Sequence, residues 1–202
     1  MPRAHPVTGL LVAAGAGRRM GRPKALMATA DGEPWLRLAL AALLPVTAEV
    51  IVVLGCRAAE AQDLLPADPR VISVVAADWA DGMGASLRAG LTHLLHEKDT
   101  GRVAAAALVH LVDLPDVTAE VAGRVVAAAG PGALSVAAVR ATYRGRPGHP
   151  VLLGRDHWRP LVAELTGDTG ARDYLARAGV LGVDCTDLAS GADWDTPTAS
   201  PG

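Results

Sequence analysis

Two hydrophobic patterns alternate along the first half of the chain. Short unbroken runs of Val, Leu, Ile and Ala are typical of strands buried on both faces, and longer stretches with apolar residues at helical spacing are typical of amphipathic helices. The predicted strands lie at 9–14, 49–54, 71–76 and 104–112, and the predicted helices at 34–44, 57–65 and 85–96. Strands that alternate with helices at this rhythm predict a parallel sheet with right-handed crossovers.

The pattern changes in the second half, where a short turn joins two strands without a helix between them. Such a turn predicts that an antiparallel strand is added to the sheet. The predicted elements are a helix at 117–129, a strand at 133–139, a turn at 143–146, a strand at 151–153, helices at 156–165 and 173–177, and a strand at 180–184. We therefore expect the α/β fold class: a single Rossmann-like three-layer sandwich over residues 1–202, with a mostly parallel sheet and an added antiparallel strand.

Composition and charge narrow the classes of function. Half of the 202 residues are hydrophobic and none is Phe, so the core must consist mainly of Ala, Val and Leu. The formal net charge is −2. Bulk charge therefore gives no support to a nucleic-acid partner, and any site that binds an anion must be local.

The sequence gives no sign of a secreted or membrane protein. The N-terminal MPRAHP is too short and polar for a signal peptide, and no apolar run reaches ~18 residues. Cys56 and Cys185 have no neighbour at metal-ligand spacing and form no disulfide framework, so both are expected to be reduced. We expect a cytoplasmic protein that has no membrane partner and is a monomer or a weak dimer.

A glycine-rich, cationic segment follows the first predicted strand. Residues 7–24 read VTGLLVAAGAGRRMGRPK. Its glycines and cations are Gly15, Gly17, Gly21, Arg18, Arg19, Arg22 and Lys24. A glycine-rich turn at the end of a buried strand exposes backbone N–H groups that bind an anion, and the cations strengthen this attraction. The natural ligand of such a segment is a di- or triphosphate.

Two well-known phosphate loops do not match this segment. A dinucleotide fingerprint that starts at Gly15 needs its third glycine at Met20, and Gly21 stands one residue too late. A P-loop needs a hydroxyl residue after its lysine, whereas Lys24 is followed by Ala25.

The spacing instead resembles L-x-A-G-x-G/S-x-R-M-G-x-x-K, the signature of nucleotidyltransferases that transfer NMP from an NTP and release pyrophosphate. It is most similar to the molybdopterin cytidylyltransferases and their guanylyl relatives. The resemblance implies a nucleotide-diphospho-sugar transferase-like fold in which residues 7–115 bind the NTP and residues 116–202 face the acceptor. It also implies that Arg19 and Lys24 are catalytic and cradle the β- and γ-phosphates. The nucleotide-binding residues that it implies in this loop are Ala13, Ala14, Gly15, Gly17 and Arg18.

A second flexible turn precedes the predicted helix at 85–96. Gly82, Ser86 and Leu87 match a G-x-x-x-S-L pattern of the same family. The resemblance implies that Gly82 and Ser86 contact the base of the nucleotide, since helix N-termini offer free N–H groups. The alternative is that Ser86 serves only the first turn of its helix.

Two aspartates are candidates for a metal site. Asp113 follows the fourth predicted strand, where a lone Asp is often only a helix N-cap. A bound triphosphate needs magnesium, however, which takes one or two carboxylates together with phosphate oxygens. The resemblance implies Asp113 as one Mg²⁺ ligand and, through a D-T-P near the end, Asp195 as the second, with Asp193 as the fallback. The alternative is that this tail is only a polar terminus.

The second half contains the candidate acceptor site. The segment R-x-G-H-P-V-L-L, which begins at Arg146, resembles the acceptor-side motif of the family. Arg144, Arg146 and His149 are therefore expected near an acceptor phosphate. Arg172 lies in a G-D-x-G-A-R stretch that the family places near the acceptor, although it suits a helix surface equally well. His110, in an apolar run, is expected to be a satisfied core or sheet histidine.

The resemblance implies a Mg²⁺-dependent transfer of NMP to a phosphate acceptor. Ala13, Ala14 and Gly15 at the loop's start favour CTP over GTP, and the acceptor is then molybdopterin. Two alternatives stay open: a nucleotidyltransferase for another acceptor, such as a sugar phosphate, a polyol phosphate or a deazaflavin precursor, and a non-catalytic nucleotide-binding regulator or chaperone of a molybdoenzyme.

Overall fold

The computed structural model describes residues 7–96, 104–130, 132–167 and 171–194. Within them, seven strands form one sheet and six α-helices pack against it. The strands are β1 (Val7–Ala13), β2 (Val50–Leu54), β3 (Val71–Val75), β4 (Ala106–Leu111), β5 (Ala138–Tyr143), β6 (Arg146–Gly154) and β7 (Leu181–Asp184). The helices are α1 (Trp35–Leu43), α2 (Ala58–Gln62), α3 (Met83–His96), α4 (Ala119–Ala128), α5 (Trp158–Glu164) and α6 (Arg172–Arg177). None of the helices in this part of the chain has the length and hydropathy needed to cross a membrane.

The sheet is parallel except at one strand. Its order is β3-β2-β1-β4-β6-β5-β7. β1 pairs in parallel with β2 and β4, β2 pairs with β3, and β5 pairs with β7. β6 is antiparallel to both of its neighbours, β4 and β5. The expected α/β fold class, with a mostly parallel sheet and an added antiparallel strand, is confirmed.

Helices cover both faces of the sheet and make three layers. Every residue of β1 and β2 is buried, which explains why these strands are unbroken apolar runs. One core cluster packs α1, α2 and α4 against the sheet, with Trp35 and Leu40 among its members. The other packs α3, α5 and α6, with Leu91 and Trp158 at its centre. Each buried Leu of these clusters contributes about 1.5–3 kcal/mol through its removal from water.

The fifth strand begins later than the sequence predicted. Residues Leu134–Val136 form a 3-10 turn, and β5 starts at Ala138, so the predicted strand at 133–139 is wrong over most of its length. The turn presses closely on β6, because a Cβ at Gly154 would lie 2.3 Å from the backbone oxygen of Ser135. Tertiary packing has overridden the local β propensity of this segment.

The hairpin between β5 and β6 turns where the sequence predicted, at 143–146, but its second strand begins earlier than predicted. Arg144 and Gly145 have φ of 51° and 73°, which is the backbone of a two-residue type I′ turn. β6 therefore begins at Arg146, and the segment P-G-H-P belongs to the strand. This change matters for function, because strand residues alternate between the two faces of a sheet.

Candidate functional site

Three segments that are far apart in sequence meet at one edge of the sheet. β1 and β4 are parallel neighbours, so the chain leaves both strands, after Ala13 and after Leu111, on the same side. β6 runs in the opposite direction and pairs Val151 with Val109, so its first residues lie at that edge as well. The carboxyl edge of a doubly wound sheet is where such folds bind ligands.

The glycine-rich loop has a backbone that requires glycine at one position above all. Gly17 has φ +59°, and a Cβ there would lie 1.9 Å from the carbonyl oxygen of Arg22. The N–H of Met20 donates to the carbonyl oxygen of Gly17 at 2.8 Å, which closes a turn. The loop ends in the 3-10 turn Lys24–Leu26, whose buried Leu26 anchors the chain just after Lys24.

Lys24 and Asp113, which are 89 residues apart, form a salt bridge at this edge. The Lys24 ammonium donates to Asp113 Oδ2, and the two side chains are 21% and 12% exposed. A predicted catalytic cation and a predicted metal ligand therefore lie in direct contact. The pair is partly shielded from water, so its charges act on neighbouring groups more strongly than surface charges do.

Two adjoining cavities open beside this pair. The smaller, of about 310 Å³, is lined by every residue that the sequence predicted to bind the nucleotide: Ala13, Ala14, Gly15, Gly17, Arg18, Gly82 and Ser86. The larger, of about 930 Å³, is lined by five other predicted site residues: Arg19, Lys24, Asp113, His149 and Arg172. Lys24 and Asp113 line both cavities, so the salt bridge lies where the two meet.

Ser86 serves the first turn of its helix and also lines a cavity. It lies in the first turn of α3, and its hydroxyl donates to the carbonyl oxygen of Gly82 at 3.4 Å. The same residue lines the smaller cavity, where contact with a base stays a prediction. Trp79, which the sequence analysis did not single out, also lines this cavity. An aromatic ring offers a base a stacking surface. The position of Trp79 shortly before Gly82 was the sequence signal that could have identified it.

The C-terminal segment returns to the Asp113 edge. The N–H of Trp194 donates to the backbone oxygen of Asp113 at 3.0 Å. The Trp194 ring packs edge-to-face on Trp35, with 5.6 Å between the ring centroids. These contacts hold Asp193 in the lining of the larger cavity. Asp195, the predicted second metal ligand, lies outside the described residues.

The carboxylates present suit a metal that arrives with its substrate. The described residues contain no group of three or more His, Cys, Asp or Glu side chains that could hold a metal ion by themselves. Magnesium at nucleotide sites, however, uses one or two carboxylates and completes its shell with phosphate oxygens and water. Asp113 and Asp193 both line the larger cavity and are therefore a donor set that fits such an ion.

His149 lines the larger cavity as an uncharged group. Burial lowers the pKa of its imidazole to about 4, and the positive charge of Arg140 adds to this shift while Asp113 opposes it. At neutral pH the ring is therefore neutral and can exchange hydrogen bonds with a ligand without adding charge.

Arg140 is a cavity residue that the sequence analysis missed. β5 alternates half-buried and buried residues, and Arg140 occupies a half-buried position whose side chain lines the larger cavity. Burial, with the nearby charge of Arg172, lowers the pKa of its guanidinium. The signal was the two-residue alternation of AVRATY, which was not visible while the strand was expected at 133–139.

The other predicted acceptor cations differ in placement. Arg172 begins α6 and lines the larger cavity. Arg146 is exposed, pairs with Tyr143 at the start of β6 and does not line either cavity. Arg144 lies in the hairpin turn, where its N–H donates to Thr186 Oγ1 at 2.7 Å. The pairing of β5 with β6 shifts register between Arg140 and Thr142, so an irregular stretch of β6 separates Arg146 from His149.

His110 is buried, as expected, but it is not satisfied. Its side chain is 0% exposed, and neither ring nitrogen has a hydrogen-bond partner among the described residues. Burial lowers its pKa to about 3, with a smaller effect from His149. The expectation of a satisfied histidine is therefore wrong, because an apolar strand centre offers no side-chain partner.

Comparison with known proteins identifies the family of this chain. A family model described as the MobA-like NTP transferase domain matches residues 9–181, which confirms the resemblance seen in the glycine loop. A protein named nicotine blue oxidoreductase, from Paenarthrobacter nicotinovorans, is 37% identical over 197 residues, which are 94% of this chain and 92% of that protein.

Two solved structures share the fold. The nucleotidyl transferase Mth528 from Methanothermobacter thermautotroptrophicus has a TM-score of 0.74 at 20% identity, with 94% of this chain and 92% of that chain covered. Rv0371c from Mycobacterium tuberculosis, solved as a complex with manganese, has a TM-score of 0.64 at 25% identity, with 94% of each chain covered.

Proposed function

We propose that this chain, which belongs to the MobA-like NTP transferase family, moves a nucleoside monophosphate from an NTP to a phosphate-bearing acceptor and releases pyrophosphate. The observation that carries the proposal is the Lys24–Asp113 pair at the junction of two cavities. A transferase must bring two substrates together at one reacting phosphorus, and this junction is the point that both cavities share.

The smaller cavity is assigned to the nucleotide. The loop amides around Gly15 and Gly17 provide donors for phosphate oxygens, and Gly17 keeps the backbone in the conformation that presents them. Arg19 and Lys24 balance the charge of the β- and γ-phosphates, which grows as pyrophosphate leaves. The side chain of Trp79 lies where a base can stack on it.

Asp113, with Asp193 or Asp195, is assigned to a divalent ion. Bound there, magnesium would neutralise phosphate charge and act as a Lewis acid at the α-phosphate. The manganese complex of Rv0371c supports a divalent ion in a relative of this chain. In the protein without substrate, the Lys24 ammonium balances the Asp113 carboxylate.

The reaction then needs positioning and no covalent intermediate. An oxygen of the acceptor phosphate, held in the larger cavity, forms a bond to the α-phosphorus while the bond from that phosphorus to the bridging oxygen of the β-phosphate breaks. Both electrons of the broken bond leave with pyrophosphate. Holding both reactants in line supplies much of the acceleration, and the loop cations supply the rest.

CTP and molybdopterin are the substrates that we propose. Ala14 beside Gly15 puts a methyl group at the start of the loop, where it would favour the smaller base. One methyl group in a tight pocket is worth about 1–3 kcal/mol of discrimination. We further propose that residues 7–115 hold the NTP and residues 116–202 the acceptor. In support, the smaller cavity is lined only by residues of the first segment, whereas the larger cavity is lined by residues of both.

A relative supports a second candidate function. The protein that is 37% identical to this chain is named as an oxidoreductase. In that case the glycine loop would hold the phosphates of a reduced nicotinamide dinucleotide, and a conjugated substrate in the larger cavity would accept its hydride. The Ala-rich, Arg-rich loop suits a diphosphate as well as a triphosphate.

The two candidates are separated by one pair of assays. Pyrophosphate release is measured with CTP, GTP, ATP and UTP against molybdopterin extracts, with and without magnesium. Loss of reduced nicotinamide absorbance is measured in parallel with a quinoid acceptor. Metal-dependent pyrophosphate release that is fastest with CTP supports the proposal, and hydride transfer without pyrophosphate release supports the second candidate.

Lys24→Ala tests the assigned role of the loop. We expect it to lower turnover by about 10²–10³-fold and to change the NTP dissociation constant less, because the ammonium acts on charge that develops during the reaction. Arg22→Ala is the matched control, since Arg22 is an exposed cation of the same loop that does not line either cavity. Equal losses in turnover and binding for Lys24→Ala would count against the role.

A further inference from the structure

The sheet register places Arg140 in a row of otherwise apolar residues. Arg140 pairs with Val151, Val151 pairs with Val109, and Val109 pairs with Leu10. Cross-strand partners share a face, so this row runs across four strands on the side of the larger cavity. An arginine in such a row is costly to bury unless something satisfies it.

The described residues do not satisfy this arginine. One terminal nitrogen of Arg140 donates a hydrogen bond to the Gly148 carbonyl oxygen at 3.3 Å, and its Nε is buried without a partner among the described residues. Arg172 lies close enough for its charge to lower the pKa of Arg140. Neither arginine forms an ion pair with a carboxylate of the described residues, unlike exposed arginines such as Arg57 and Arg124.

Two positive charges that line one cavity and form no ion pair among the described residues fit a dianion. A phosphate monoester carries about −1.5 to −2 charge at neutral pH, and a guanidinium binds it through two parallel hydrogen bonds. A singly charged carboxylate would leave one of the two arginines unbalanced. His149, which is neutral, adds hydrogen-bonding capacity beside them without a third charge.

The other residues that line the larger cavity indicate which kind of ligand would carry this phosphate. Around Arg140, the floor of the larger cavity is aliphatic: Leu87, Val109, Val151, Leu153 and Leu175. The described residues that line this cavity include no Ser, Thr, Asn or Gln. Where a ligand lies against this aliphatic floor, its hydroxyl groups would lose hydrogen bonds to water without regaining them, whereas an apolar or aromatic body gains from the contact.

We propose that Arg140, with Arg172 beside it, binds the phosphate of an aryl-type phosphomonoester, and that this is the acceptor end of the larger cavity. The role of this ligand as the acceptor rests on the proposed function, whereas the presence of an anion site does not. The assignment replaces Arg146, which lies outside the cavity, with a residue of the neighbouring strand. It also favours an acceptor with a flat or apolar body over a sugar or polyol phosphate.

Direct binding of a simple probe tests the site in the full-length chain. Phenyl phosphate is titrated by calorimetry into protein saturated with a non-reactive methylene analogue of CTP, and again without the analogue. We expect Arg140→Met to weaken phenyl phosphate binding by at least ~10-fold, because a charge-assisted pair of hydrogen bonds is lost. Glycerol 3-phosphate should bind the wild type several-fold more weakly than phenyl phosphate.

Two further variants test separately the charge of Arg140, the planar shape of its guanidinium and its position in the cavity. Arg140→Lys keeps the charge but not the planar fork, and we expect an affinity between those of the wild type and Arg140→Met. Arg146→Met is the matched control and should stay within about 2-fold of the wild type, since its side chain does not line the cavity. Melting temperatures of all variants report whether each one folds.

The outcomes distinguish this inference from the proposed function. Unchanged binding of phenyl phosphate to folded Arg140→Met or Arg140→Lys, no binding by the wild type, or an equal loss in Arg146→Met overturns the anion site. If glycerol 3-phosphate binds the wild type as tightly as phenyl phosphate does, the proposal that the ligand is aryl-type is overturned. Arg140-dependent binding without any nucleotidyl transfer supports the site while the proposed function fails. Where transfer is observed, Arg140→Met should raise the KM of the acceptor and leave the KM of the NTP unchanged.

Discussion

Asp113→Asn should abolish most of the transferase turnover but lower the free energy of unfolding only moderately. Asparagine keeps the size of the side chain and removes its charge, so Lys24 loses its salt bridge to Asp113 and any divalent ion loses a charged ligand. The pair is partly shielded, at 21% and 12% exposure. Its two effects, on folding and on chemistry, can be worked out separately.

The folding effect is moderate because attraction and desolvation oppose each other. Two unit charges ~4 Å apart attract by about 4 kcal/mol at an effective dielectric constant of ~20, and most of this is offset by the loss of hydration. Both groups keep some contact with water, so we expect a loss of about 1–2 kcal/mol in the free energy of unfolding. For a chain of this size the melting temperature then falls by about 2–8 °C.

The chemical effect is larger because the proposed role of Asp113 depends on its negative charge, which Asn lacks. Removing one group that stabilises developing charge lowers turnover by about 10²–10³-fold, or about 3–4 kcal/mol of barrier. Pyrophosphate release is followed with a coupled pyrophosphatase, and thermal unfolding is measured on the same samples. At 25 °C the variant stays folded, so the loss of turnover is not a loss of protein.

Asp187→Asn is the control for a salt bridge away from the cavities. Asp187 pairs with Arg124 on the surface, with the two side chains 64% and 37% exposed. We expect a change in stability of less than ~0.5 kcal/mol and no change in turnover. The reasoning about Asp113 is refuted if Asp113→Asn keeps its turnover within about 5-fold of the wild type, or if the Asp187 control loses as much.

Three further changes test the loop, the core and the buried histidine. Gly17→Ala should weaken NTP binding at least ~10-fold by calorimetry with unchanged circular dichroism, because its Cβ would lie 1.9 Å from a backbone oxygen of the same loop. Gly90→Ala should lower the free energy of unfolding in urea by about 1–3 kcal/mol, since the new Cβ would lie 2.5 Å from a core leucine. Gly123→Ala is the control: its Cβ would lie 3.6 Å from the nearest neighbour, so this change should be neutral or should stabilise the protein by up to ~1 kcal/mol. The folded pKa of His110, about 3, lies below its unfolded value, so the unfolded state binds a proton first and stability is lost as the pH falls below ~6.5. His110→Leu should reduce that slope by about 1.4 kcal/mol per pH unit between pH ~6 and ~4 in urea titrations.

The nucleotide side of the site could be predicted because it is built from local sequence. Gly15 and Gly17 stand in one short loop, and the turn at Gly82 leads directly into α3, so short motifs that resemble the family were enough to predict both segments. The contact of Lys24 with Asp113 needed one more rule, that the carboxyl ends of parallel strands share an edge. That rule sufficed because β1 and β4 are direct neighbours.

The acceptor side could not be predicted in the same way, because it depends on the register of an antiparallel strand. A shift of one residue in a strand moves every side chain to the opposite face. The fifth strand was predicted at 133–139 and therefore ended one residue before Arg140. The alternation of residues that places Arg140 toward the cavity was therefore missed. The motif around Arg146 drew attention to the hairpin tip, while the charge that enters the cavity stands on the neighbouring strand.

This difference explains where specificity for the acceptor can arise in the fold. The loop and Asp113 are fixed by the parallel half of the sheet, whose strands are buried on both faces and tolerate little change. β5 and β6 lie beyond β4, and their cavity-facing positions can change residue without moving the phosphate loop or the Lys24–Asp113 pair. A chain with an aliphatic residue in place of Arg140 would keep the same reaction centre and lose one of the two charges that select a dianionic acceptor. Acceptor choice is thus separable from the chemistry, which is why a test of Arg140 must measure the KM of the acceptor apart from turnover.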